Sequence, residues 1–109
     1  MTRSVQVTED QALGIVEDVT AKLVGQPWIS AETARTLTRS LASLAHVGGG
    51  VGEKTRSAAH WIDIFVSDRK SEKYRGRDMV KTHILADLSG ARQWIKRLAD
   101  AGGFPNTAS

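Results

Sequence analysis

Val80-Lys81-Thr82-His83-Ile84-Leu85-Ala86-Asp87-Leu88-Ser89-Gly90-Ala91-Arg92-Gln93-Trp94-Ile95-Lys96-Arg97-Leu98 is the stretch whose reading decides the fold. Val80, Ile84, Leu88, Ala91, Trp94, Ile95 and Leu98 recur at steps of three and four. At about 3.6 residues per turn they share one side of a helix of roughly five turns. Gly102-Gly103 ends it, and Arg77 or Asp78 begins it, giving a helix over about 78–101.

Working back from this helix, the chain repeats the same pattern three times. Thr8 to Gln11 has the spacing of a capping box, and Glu9 and Asp10 suit the positive end of a helix. Ala12, Ile15, Val16, Val19 and Leu23 then form one apolar face, and Gly25 and Pro27 stop the helix, which spans about 8–24. Trp28 and Ile29 follow in a short link, where Trp28 is expected to plug the open end of the core. Ser30 caps a second helix over about 30–47, with Ala34, Leu37, Leu41, Leu44 and Ala45 as its stripe. A third, about 53–67, puts Ala58, Trp61, Ile62, Phe65 and Val66 on one face and leaves Ile64 outward. The alternation through 61–66 also fits a strand, but a lone strand has no partner in this chain. Asp68 to Arg77 is strongly charged and reads as an exposed connection. The expectation is an all-α, compact bundle of four helices with antiparallel neighbours, formed by residues 8–103. Residues 1–7 form an N-terminal arm and 104–109 a flexible tail.

Composition fits this. At 109 residues, 40% of them hydrophobic and 25% charged, the chain has the make-up of one folded domain. The absence of cysteine excludes a disulfide framework and a thiol nucleophile, and fits a reducing compartment. The first residues lack the apolar core of a signal peptide, and no apolar run reaches the roughly 18 residues of a membrane span. The expected location is the cytoplasm, with no membrane partner. The net charge of +3 is uneven: residues 1–66 carry −1 and residues 67–109 carry +4.

Gly48-Gly49-Gly50-Val51-Gly52-Glu53-Lys54-Thr55 superficially matches a phosphate-binding loop. That loop needs Lys directly after its last glycine so that backbone N–H groups and the ammonium share the phosphates. Here Glu53 intervenes, placing a carboxylate where phosphate belongs, and the segment follows a helical pattern rather than a strand. The run at 48–52 reads instead as a flexible glycine-rich joint.

Asp87 interrupts the apolar stripe of the last helix, and His83 lies one turn before it. A carboxylate there is costly unless paired, so His83 and Asp87 read first as a buried structural pair, with Asp87 accepting from His83, from Trp28 or Trp61 N–H, or from a helix N-terminus, and second as the edge of a partner-binding groove. With His60 and Asp63 they could also supply four N/O metal ligands, although His60 and Asp63 point away from the core on a helical wheel. Neither catalytic residues nor cofactor or metal ligands are assigned.

The remaining signal is cationic. Arg69, Lys70, Lys73, Arg75, Arg77 and Lys81 surround Tyr74, and Arg92 and Lys96 lie on the outer side of the last helix with Leu85 among them. With Asp68, Glu72 and Asp78 interleaved, the 68–81 stretch nets +3. The leading expectation is a non-enzymatic helical binding module that docks on a larger protein or assembly with an acidic surface. An inhibitor or adaptor suits such a bundle, including one from a bacterium, phage or mobile element. The alternatives are nucleic-acid binding through the same basic stretch and last helix, a metal-dependent hydrolase using the His/Asp set, and, as an assembly, a homodimer.

Overall fold

The computed structural model describes residues 7–104, and among these it is all-helical. In chain order the helices are α1 (Glu9–Val24), α2 (Ala31–Ala42), α3 (Val51–Phe65), the single-turn α4 (Asp68–Glu72) and α5 (Arg77–Asp100). Four are substantial, and they form a compact bundle of 47 × 29 × 20 Å. The strand alternative for 61–66 is thereby set aside in favour of helix.

The starts follow local chemistry. Thr8 and Gln11 form the expected capping box, each side chain satisfying the other residue's backbone N–H at 3.0–3.1 Å. Ser30 caps α2 by accepting from the Thr33 N–H at 3.0 Å. Helix α2 stops at Ala42, five residues short of the expected end. There the Ser43 hydroxyl donates to the Ser40 carbonyl at 2.6 Å, and successive N–H groups bond three residues back instead of four.

Helices α3 and α5 make the most extensive contact; α1 packs on α5 and α2 on α3. The Arg92–Glu17 ion pair and the Lys81–Gln26 hydrogen bond show that α1 runs antiparallel to α5. The pairing of Arg77 with the Phe65 and Val66 carbonyls shows the same for α3 and α5. The bundle therefore has one end built by the α1–α2 link and the segment around α4, and another built by the glycine run and the end of α5. The buried core includes Val16, Val19, Leu23, Leu37, Leu41, Ile62, Phe65, Ile84, Leu88 and Ile95, as the periodicities require.

Several expectations change. The charged connection contains α4, whose Ser71 is buried and donates to the Ile64 carbonyl at 2.9 Å. By folding back, α4 covers Ile64, which is buried rather than outward. Trp28 does not plug the core; it is 56% exposed, and Ile29 is buried in its place. Val7 and Phe104, assigned to arm and tail, both pack partly buried against the core; the rest of those two segments lies outside the described residues.

The glycine run is a close approach, not a loose joint. A Cβ on Gly50 would stand 2.3 Å from the Trp94 indole nitrogen, and one on Gly52 would stand 2.5 Å from the Ala45 carbonyl oxygen. Gly49 adopts φ +62° and also faces the Trp94 ring. Gly50→Ala is expected to destabilise the fold by about 1–3 kcal/mol through overpacking. Gly48→Ala, which meets nothing within 4 Å, should leave the urea midpoint within a few tenths of a molar of the parent's.

Candidate functional site

Where α3 ends and α5 begins, three rings meet at the surface. Trp61, half-buried on α3, stacks on His83 of α5 with centroids 4.4 Å apart and planes 11° from parallel. Tyr74, on the turn after α4, meets the Trp61 ring edge-on at 4.9 Å. These are favourable aromatic geometries, in contact distance and in angle. Lys73, Tyr74, Arg75, Met79 and His83 line a shallow recess of about 340 Å³ here. Tyr74 is 40% and Met79 39% exposed, high values for side chains of their size.

The backbone beneath this recess is strained. The Gly76 N–H donates to the Ser71 carbonyl at 2.8 Å and the Arg75 N–H to the Glu72 carbonyl at 3.2 Å. This pair of bonds is the Schellman closure of a helix, whose left-handed position normally takes glycine. Here that position is Arg75, at φ +72°, and it is the one non-glycine residue with positive φ among the described residues. The conformation costs a side-chain-bearing residue about 1–2 kcal/mol. The arginine is exposed beside Tyr74.

The cations read from the sequence do not form one surface. Arg77 is committed to structure: its guanidinium donates to the Phe65 and Val66 carbonyls at 2.9 and 3.2 Å and pairs with Asp68 at 3.4 Å. It thus satisfies the open carbonyls at the C-terminus of α3. Lys81 donates to the Gln26 carbonyl and lies 5.9 Å from the Phe65 ring centroid. Lys70 pairs with Asp63 at 3.5 Å, and Arg92 with Glu17 at 3.6 Å. Leu85 is not an exposed residue ringed by bases; it is half-buried against the core in the α1–α5 groove, with Val16, Ala21 and Leu88. Lys96 is exposed farther along α5, toward the glycine end. Arg69, Lys73 and Arg75 remain exposed, and Lys73 and Arg75 share the recess with Tyr74.

The buried pair is also corrected. His83 is exposed and Asp87 only half-buried. The Asp87 carboxylate accepts from the Ser57 hydroxyl of α3 at 2.5 Å, while the imidazole is taken by the Trp61 ring. An inter-helix hydroxyl one turn before Trp61 meets the carboxylate's need, so His83 is free to lie flat on the indole. Among the described residues no three His, Cys, Asp or Glu side chains converge to hold a metal ion. His60 and Asp63 both point outward, as the helical wheel indicates.

Periodicity along one helix could not reveal Trp61 and Met79 as members of this surface, because the stack forms between helices. Comparisons with protein-family models, curated proteins and solved structures find no match to this chain.

A double-mutant cycle separates Ser57, the partner Asp87 has, from His83, the partner its spacing suggests. Ser57→Ala is expected to cost about 1 kcal/mol and to couple to Asp87→Asn. His83→Ala and Asp87→Asn should be additive within about 0.5 kcal/mol in urea unfolding.

Proposed function

We propose that this chain is a non-enzymatic helical binding module, and that it docks on an acidic protein surface through the recess around Tyr74. The carrying observation is Arg75. It occupies a left-handed helix-end position that glycine fills without strain, and it displays a cation beside exposed Tyr74 and Met79. Strain held at an exposed residue is the kind of feature that stability alone does not favour. Aromatic and arginine side chains are also the residue types that dominate binding energy at protein interfaces.

The charge distribution favours a protein over nucleic acid as partner. Tracking a phosphate backbone needs many unpaired cations on one surface. Of the six in the 69–81 stretch, Lys70, Arg77 and Lys81 already hold acceptors within the chain. Lys73 and Arg75 suit a few carboxylates flanking an apolar contact, the arrangement typical of an interface rim. An inhibitor or adaptor role fits this reading, as does a bacterial or phage origin and a cytoplasmic setting.

Arg75→Gly tests the proposal by separating stability from binding. The variant should be as stable as the parent or up to about 1 kcal/mol more stable, since glycine relieves the backbone while adding chain entropy. In affinity capture it should lose the partner that the parent retains, as should Tyr74→Ala. Arg39→Ala, on the exposed side of α2, should keep it. A partner held equally by all four proteins, or none held by the parent, overturns the reading.

A further inference from the structure

Among the described residues the large hydrophobic side chains left exposed are Val24, Trp28, Tyr74 and Met79. All four lie at the same end of the bundle. Val24 and Trp28 flank the α1–α2 link, and the Lys81 ammonium of α5 holds that link by its Gln26 carbonyl. Tyr74 and Met79 lie on the other side of the α5 start, in the recess with His83. Met79 and Lys81 are two residues apart, about 200° round the helix, so the two apolar sites flank its first turn. A helix is about 10–12 Å across, which sets their separation on the order of 15–20 Å.

The opposite end is closed. Trp94 lies beneath Gly49 and Gly50, and Leu98 sits where a Cβ on Gly103 would be, 2.4 Å from its Cδ1. Among the described residues, Trp94 and Leu98 at this end are at least half-covered, whereas the exposed large hydrophobic side chains lie at the other end.

A recess lined by five residues is small beside the roughly 20–30 residues per side of a stable protein interface. We infer that the Val24–Trp28 link is a second anchor for the same partner. It joins the Tyr74 recess in one end-on platform for an acidic segment bearing apolar side chains. This rests on the proposed docking function and adds the partner's chemistry and footprint to it. Charge complementarity identifies the occupant: Lys73 and Arg75 stand exposed at one anchor, and the Lys81 ammonium, which meets a backbone carbonyl and no carboxylate, lies between the two. Asp78 stands at the α5 start, so the partner's carboxylates belong at the flanks of that turn rather than over it.

The three tryptophans make the test direct, since Trp28 and Trp61 belong to the platform and Trp94 to the closed end. The full chain, labelled with ¹⁵N, is titrated with a synthetic twelve-residue peptide of Asp, Glu, Leu and Phe. A Lys-for-acid version of that peptide and a twelve-residue oligothymidylate serve as comparisons. The Trp28 and Trp61 indole signals should move together with one saturation curve for the acidic peptide alone, while Trp94 stays fixed. Trp28→Ala, at an exposed position, should weaken that binding about tenfold, the effect of a strong interface anchor. Movement of Trp61 without Trp28 overturns the two-anchor inference and leaves the docking reading standing. If neither signal moves, or only the oligothymidylate moves them, the docking reading itself fails.

Discussion

The antiparallel seam between α3 and α5 is the constraint on which the rest of the structure hangs. Helices α1 and α2 do not build the bundle by themselves; each packs chiefly on one member of that pair. The seam is kept close by small groups where the helices meet, with Ala58 and Ala91 buried in the core and the Lys54 stem laid over Gly90. It is held at both ends by different chemistry. At one end glycine lets a turn settle on the Trp94 indole, and at the other the Arg77 guanidinium closes the open carbonyls of α3. Dispersion does the first job and charge-assisted hydrogen bonding the second.

That division explains why the bundle ends are unlike. At the glycine end the Trp94 indole is half-buried under the turn and is not among the exposed large side chains. A guanidinium spent on carbonyls, with α4 folded over Ile64, leaves Tyr74, Met79 and the Trp61–His83 stack on the outside. The docking proposal draws on this asymmetry rather than on total charge, because several of the cations in the basic half of the chain are used internally.

The fold was largely legible in the amino-acid sequence because helical periodicity is a property of one element at a time. Val80, Ile84, Leu88, Ala91 and Ile95 announce their face without reference to any neighbour, and Thr8 and Ser30 announce the caps. What could not be read depends on pairs of elements. The partner of Asp87 comes from α3, thirty residues away along the chain. Arg77 looks like any other base in a charged stretch until the end of α3 is placed beside it. The size of Trp28 suggests burial, whereas its neighbour Ile29 takes the inward place in the link and leaves the indole exposed. Of the site, Lys73, Tyr74 and Arg75 were legible as a cationic and aromatic cluster. The positive φ that singles out Arg75 was not, since it follows from how α4 terminates.

The contact between Gly50 and Trp94 has an evolutionary corollary. The absence of a side chain at one position and the breadth of the indole at the other are two halves of a single fit. Neither can drift alone: a methyl group at 50 calls for a narrower residue at 94, and a narrower residue at 94 releases 50 from glycine. The two positions are thus coupled by shape, and the paired exchange is the substitution this end of the bundle can absorb where either change alone leaves a clash or a void.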